Sequence, residues 1–404
     1  MVETVFERGY EATTVRELAR AAGVSTRTFY QHYSDKEACF LRTHQILLRR
    51  ALGWLKASHV GVQDWKDRVL LGVNAIAQGW ARDPKAAHFV LIDSYSVGPK
   101  AVEQLRRASR SMMKGSITDA RIDGSSGKIP SVLSDGIIAG VHEVVRLQLE
   151  GKKRPFTGDL SDGLGRWALS YFDPLVTQLD QLNRPGDLKY VSEEDEVAVF
   201  TGDAGALLSA AAKIAVDKGH EELTPRRIFT TAGVPRRNFY EIFPHVDDCL
   251  MAVLELYIDS AVRQARRASE NGLTQAGGVY LAVLSLCARV ARDHIFAGLC
   301  FDENVSSSVA KVRCRGPLRT GIAYLVEDVL GADKLVAQAS AGAFWGVLQR
   351  EVTIGRAQNV PRLASTLSYF MLAPNVGASA AVEAICQERM MARKREQASV
   401  VEAR

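Results

Sequence analysis

Cysteine is scarce in this 404-residue chain, and what there is forms no CxxC pair. Cys39, Cys249, Cys287, Cys300, Cys314 and Cys386 fall inside apolar helical patterns, which reads as reduced, buried thiols of a cytoplasmic protein. A thiol redox switch is the remaining alternative. The eight histidines are scattered, and none pairs with a second His, Cys or carboxylate at a ligand spacing, so no metal is expected. There is no Gly-rich phosphate loop, no GxSxG and no paired-acid motif, so an enzyme has little support and no cofactor is implied. No apolar run approaches the roughly 18 residues of a membrane span, and no signal peptide precedes the first motif. Strand-like alternation is nearly absent, whereas helical periodicity runs through the chain. Net charge is only +5, so affinity for a polyanion must come from local patches.

What the chain does have is a repeat. Residues 5–40 align without a gap on residues 215–250, an offset of 210, with 11 identities in 36 pairs. Average composition would give about two. Gly9 falls on Gly219, Thr14 on Thr224, Arg16 on Arg226, and Ala22-Gly23-Val24 on Ala232-Gly233-Val234. Arg27, Phe29, Tyr30 and Cys39 fall on Arg237, Phe239, Tyr240 and Cys249. The register continues through Val69, Leu71 and Val73 over Val279, Leu281 and Val283. A repeat this long predicts an all-α chain of two tandem units, each an N-terminal helix-turn-helix domain plus a C-terminal helical bundle.

In the first copy, Thr14-x-x-Glu17 reads as a capping box opening a helix that Gly23 stops. Ser25 caps a short helix through His32, and Ser34-x-x-Glu37 reads as a second capping box opening a long helix towards Ser58. Val15, Leu18, Ala19, Val24 and Phe29 sit at spacings that bury one face. Thr26, Arg27, Thr28, Tyr30 and Gln31 are left outward. Such a face suits a DNA groove: Arg bonds guanine edges, Thr meets thymine methyls, and Tyr reaches phosphate.

The residues GYEATTVRELARAAGVSTRTFYQHYSDKEACF closely resemble the TetR/AcrR family of bacterial transcriptional regulators. They share its Gly-Tyr-x-x-Thr-Thr opening, Ala-Gly-Val-Ser turn, Phe-Tyr-x-His-Tyr recognition-helix end and Asp-Lys-Glu start of helix four. The resemblance covers about 45 residues. It implies Thr14 and Arg16 near phosphate, Ser25 and Thr26 at the start of the recognition helix, and Arg27 and Thr28 near bases. Tyr30, His32 and Lys36 would grip the backbone. It also implies C-terminal bundles used for pairing and for binding a small-molecule inducer.

The second copy keeps Thr224 as a cap, Arg226 on the same helix, and a reading face of Arg236, Arg237, Asn238 and Tyr240. It loses two expected phosphate contacts, because Ile242 replaces His32 and Val246 replaces Lys36. Glu241 adds a negative charge near the DNA path. DNA contact weaker than the first copy's is expected, with a retained structural module as the alternative. The counterpart of Ala204–Lys218 in the first unit would begin before Met1, leaving only Val2–Arg8. Either translation starts upstream or this helix is shortened, and the former is favoured because so short a helix supports the motif poorly.

These signals divide the chain into a first helix-turn-helix domain at 1–50, with its first helix truncated, and a regulatory bundle at 51–183. A linker at 184–200 follows, marked by Asn183-Arg-Pro-Gly and an acidic run. A second helix-turn-helix domain at 201–260, a second bundle at 261–385 and a basic tail at 386–404 complete it. Trp80, Phe89, His142 and Trp167 in the first bundle, and Phe344 and Trp345 in the second, are the candidates for a ligand pocket, with core packing as the bland explanation. The favoured reading is a cytoplasmic, ligand-responsive repressor that binds a double-stranded DNA operator and no membrane. It would act as an intramolecular pseudo-dimer or as a homodimer. The alternative is a binding or assembly protein with a degenerate second motif, regulated through oligomerisation.

Overall fold

The computed structural model describes residues 1–116, 131–150, 158–172, 201–219, 222–302, 321–323 and 326–402. The expected linker at 184–200 and Cys314 lie outside the described residues. Every regular element among those described is helical, so the chain is all-α. No described helix is long and apolar enough to cross a membrane. The chain forms two compact units, one of Met1–Ser126 with Ile137–Leu169, the other of Gly127–Gly136 with Ser170–Arg404.

Unit 1 begins with α1 (Val2–Arg8), α2 (Val15–Ala21), α3 (Thr26–His32) and α4 (Lys36–Ser58). Thr14 caps α2 through a reciprocal box: its hydroxyl accepts from the Glu17 N–H at 3.3 Å, and the Glu17 carboxylate accepts from the Thr14 N–H at 2.9 Å. The Thr14 N–H foremost, and then the Thr14 hydroxyl, which also donates to that carboxylate at 2.9 Å, hold the Glu17 carboxyl below the usual range. Gly23 turns the chain at φ 68°, a left-handed conformation that a side chain would strain. Ser25 then caps α3, accepting from the Thr28 N–H at 3.0 Å.

The cap of α4 differs from the expected one. Asp35, one residue beyond Ser34, accepts from the Ala38 N–H at 2.7 Å, while the Ser34 hydroxyl donates to the Asp35 carboxylate. A carboxylate beside the positive end of a helix dipole outcompetes a hydroxyl there. The bundle follows as α5 (Trp65–Arg82), α6 (Pro84–His88), a π-helical turn Phe89–Asp93, α7 (Ser94–Val97), α8 (Pro99–Ser116), α9 (Ser131–Glu150) and α10 (Gly158–Leu169). Its core gathers Phe40, Leu47, Trp80, Phe89 and Leu105, with Val5 of α1 reaching into it. α1 is further tied to α6 by a Glu3–Lys85 ion pair and by Phe6 edge-on to His88 at 5.4 Å.

Unit 2 repeats the opening with a longer first helix. α11 (Gly202–Lys218) has 17 residues against seven in α1. Its alanine-rich face buries Leu207, Ala211, Ile214 and Ala215, and it packs on α12 (Pro225–Ala232) and α13 (Arg236–Ile242). Thr224 caps α12, Pro225 takes the first helical position, and Gly233 turns at φ 68°. α14 (Val246–Ser269), α15 (Gln275–Arg292), α16 (His294–Phe301), α17 (Lys334–Thr353), α18 (Ala364–Val376) and α19 (Ala378–Glu402) build the rest. The segment from 386, expected to be a basic tail, is helical to Glu402 and is packed where it begins. Glu388 accepts from the Leu273 N–H at 2.6 Å, and Arg389 donates to the Ser365 hydroxyl at 3.0 Å. Internal partners for both charges explain why this stretch does not stand in solvent.

Candidate DNA interface and bundle cavities

α3 offers its exposed face through a small number of side chains. Arg27 is exposed and makes no ion pair or hydrogen bond among the described residues, and the same is true of Arg16 on α2. Thr26 opens the helix and is exposed, as are Gln31 and His32. Tyr30 is 57 % exposed, its ring edge-on to buried Phe29 at 5.6 Å. α2 and α3 thus present two exposed guanidiniums, a phenol and small polar side chains. Thr28 differs from its expected role. It is half-buried and its hydroxyl is bonded to that of Ser25 at 2.9 Å, so both residues hold the helix start. Lys36 also faces inward, with Nζ donating to the Tyr10 and Glu11 carbonyls at 2.8 and 3.3 Å and lying 4.2 Å from the Tyr10 ring centre. Burial, with Glu37, Glu11 and Asp35 nearby, pushes the Tyr10 phenol up to about 12, so it stays neutral under that ammonium.

The corresponding face of α13 is bonded to itself and its surroundings. Arg237 donates to Glu241 at 2.6 Å, and Asn238 donates to Asp203 of α11 at 2.6 Å. On α12, Arg227 pairs with Glu222. Arg236 lies over the ring of Tyr240, 5.7 Å from its centre, and Arg226 is exposed. The cores beneath also differ. Val24 belongs to the buried set by spacing but is 41 % exposed, whereas Val234 is 6 % exposed. In unit 2 the longer α11 packs on both following helices.

Each bundle holds a cavity, and the two occupy matching positions. In unit 1 a space of about 620 Å³, including its open mouth, lies between α4, α5, α8 and α9. Leu55, Val69, Gly72, Val73 and Ile76 form one side, and Ser109, Met112 and His142 face them. In unit 2 a smaller space of about 450 Å³ is walled by Ala265, Val279, Ala282, Val283 and Leu286, the same five positions shifted by 210. Phe344 and Met371 close it. Of the expected pocket residues, Trp80, His142 and Phe344 line these cavities. Phe89 does not: it is fully buried and stacked on Phe40, centroids 4.1 Å apart, inside the core. Trp167 is buried away from the cavity lining, and Trp345 packs on Phe301 at 4.7 Å.

Residues missed by sequence reasoning are mainly the cavity walls, Ser109, Met112 and Val141 among them. The surviving register of Val69 and Val73 was the one signal that pointed there, since both are wall positions. No group of three or more His, Cys, Asp or Glu among the described residues could hold a metal. Residues 2–43 match the family model of the bacterial regulatory proteins of the tetR family, a span from α1 into α4 that contains Thr14, Arg16, Arg27, Tyr30 and Lys36.

Proposed function

We propose that this protein is a sequence-specific, DNA-binding transcriptional regulator that responds to a small ligand as a repressor does, with unit 1 as its principal reader. The observation that carries the reading is the uncompensated Arg27, exposed on a short helix that follows a glycine turn within the span matched by the tetR family model. A guanidinium with no protein partner can form two bonds to a guanine edge without first breaking one. Arg16 and Tyr30 beside it supply phosphate contacts that set the register. α13 serves as a second, weaker reader, since Glu241 and Asp203 compete with DNA for Arg237 and Asn238. Because the two faces differ, one chain is expected to read an asymmetric operator, its halves about one helical turn apart.

Regulation has a short physical route in unit 1. Leu91 lines the cavity from the π-helical turn, and Phe89 in the same turn stacks on Phe40 of α4, the helix that follows the reader. Widening the cavity therefore acts on α4 directly.

Sequencing of DNA fragments selected by the purified chain, with the mass of the resulting complex, tests the assignment. One chain on an asymmetric site, with affinity falling steeply as salt rises, is the expected result. Two chains on a palindrome would overturn the intrachain pairing, and retention without sequence preference would overturn the regulator. A chain that assembles with itself but selects no DNA would favour an assembly protein instead.

A further inference from the structure

We propose that the unit 1 cavity takes an uncharged, largely apolar ligand bearing one hydroxyl or carbonyl group, and that the matching unit 2 cavity does not take it. The inference rests on the reading of the chain as a ligand-responsive regulator and names the chemistry of its signal. Among the described residues, no Asp, Glu, Lys or Arg lines the unit 1 cavity. A charged ligand would leave water for apolar walls with no counter-ion, which is costly enough to exclude it. Met112 and Met113 give part of the wall the adaptable surface that suits a flexible apolar chain.

The polar groups are few and placed together. His142 on α9 meets the Ser109 hydroxyl of α8 across 3.3 Å through Nε2, and Nδ1 makes no hydrogen bond among the described residues. Burial pulls the imidazole down to about 4, so the ring is neutral and carries one donor and one acceptor nitrogen. What exposure the ring retains is towards the cavity it lines. The second hydroxyl in the wall, of Ser116, already donates to the Met112 carbonyl at 3.2 Å. A ligand group that bonds His142 therefore satisfies a polar atom otherwise enclosed by apolar surface.

Unit 2 lacks this feature. Gly72 is replaced by Ala282, which adds a methyl to the wall, Phe344 occupies the far side, and Ser269 is the sole polar lining residue among the described residues. A molecule that needs a hydrogen-bond partner of the imidazole kind finds none among these. The signal thus enters the unit that also carries the unpaired Arg27.

The experiment uses the full chain with diphenylhexatriene, an uncharged hydrocarbon fluorophore, displaced by 1-decanol, decanoate or decyltrimethylammonium at pH 7.5. Decanol should displace it saturably, and both ions should be weaker by about tenfold or more. His142→Phe should keep diphenylhexatriene affinity within about twofold while weakening decanol about two- to tenfold, the range of one hydrogen bond. Ile138→Trp, which fills the unit 1 cavity, should abolish decanol binding, and Val283→Trp in unit 2 should leave it intact. Should Ile138→Trp fail to fold, the charge series and His142→Phe still decide. Equal binding of decanoate or of the ammonium, an unchanged decanol affinity in His142→Phe, or no saturable binding at all would overturn the proposal. DNA affinity is followed in parallel by anisotropy. Decanol that binds as described without altering DNA affinity would overturn ligand-responsive regulation and leave the ligand class standing.

Discussion

The two helix-turn-helix modules share a backbone plan and diverge in how they use it. In unit 1 Val24 is 41 % exposed behind a seven-residue first helix, and Arg16 and Arg27, the proposed readers, make no ion pair or hydrogen bond among the described residues. In unit 2 the motif is fully supported, Val234 and Phe239 are buried, and its reading side chains are bonded to nearby acids. Support and availability are therefore inversely arranged. A polar side chain that must bind DNA is best left without an internal partner, because each internal bond has to be broken first. A module that does not read DNA is under no such constraint. Sequence identity at Arg27 and Arg237 hides this difference, since the acid at Glu241 replaces Gln31 one helical turn on.

The sharpest way to break the comparison is to remove the aligned arginines one at a time. Arg27→Ala should cost about 1–3 kcal/mol of specific DNA binding, roughly five- to 150-fold, and relax base preference at one position. Arg237→Ala should change affinity by less than about threefold, because its bond to Glu241 already lowers what it offers DNA. Anisotropy on the selected operator and on a scrambled duplex measures both. Equal losses from the two substitutions would make the units equal readers.

Packing should invert that order. Val234→Ala removes buried methyl groups under a complete cover and should cost about 1.5–2 kcal/mol of unit 2 stability. Val24→Ala, at a site 41 % exposed, should cost less than about 0.5 kcal/mol. Thermal melting of both variants reads the difference. Comparable shifts would mean that Val24 is covered in solution by something α1 does not provide.

Much of this plan was legible in the residues. The caps at Thr14, Ser25 and Thr224, the glycine turns at Gly23 and Gly233, and the long fourth helix all follow from local backbone chemistry, which sequence carries directly. The Asp35 cap was misplaced by one residue because Ser34 and Asp35 are both good caps, and only the bond to Ala38 decides between them. Val24 was assigned to the core by spacing alone, which cannot register how much helix lies above it. Lys36 looked like a phosphate contact, but the Tyr10 carbonyl that engages it is 26 positions away. Phe89 and His142 were equal pocket candidates by type. Their separation into core and cavity depends on which of four helices each one faces, and helical period does not encode that.

The helix caps should separate the modules by a smaller amount. Thr14→Ala removes the hydroxyl that accepts from the Glu17 N–H and donates to the Glu17 carboxylate, leaves the backbone arm of the box in place, and should cost about 1 kcal/mol. Thr224→Ala loses one long bond of 3.4 Å and should cost about half as much. Urea denaturation followed by helical signal compares them, and a larger loss at Thr224 would contradict the geometry.

The finest test restores availability to the second reader without touching the arginine. Glu241→Gln removes the charge that holds Arg237, and Asp203→Asn weakens the hold on Asn238. Glu241→Gln also deletes a negative charge close to where phosphate would run, so two effects act in the same direction. Each substitution should raise DNA affinity by about two- to fivefold, in line with the modest worth of an exposed pair. The gain from Glu241→Gln should shrink as salt rises, because exposed charges are screened within roughly 8–10 Å. In an Arg237→Ala background only the part due to the deleted negative charge should remain, which separates release of the arginine from a general change in charge. An unchanged affinity in Glu241→Gln would mean that α13 stays clear of DNA, leaving unit 2 as a partner that packs but does not read.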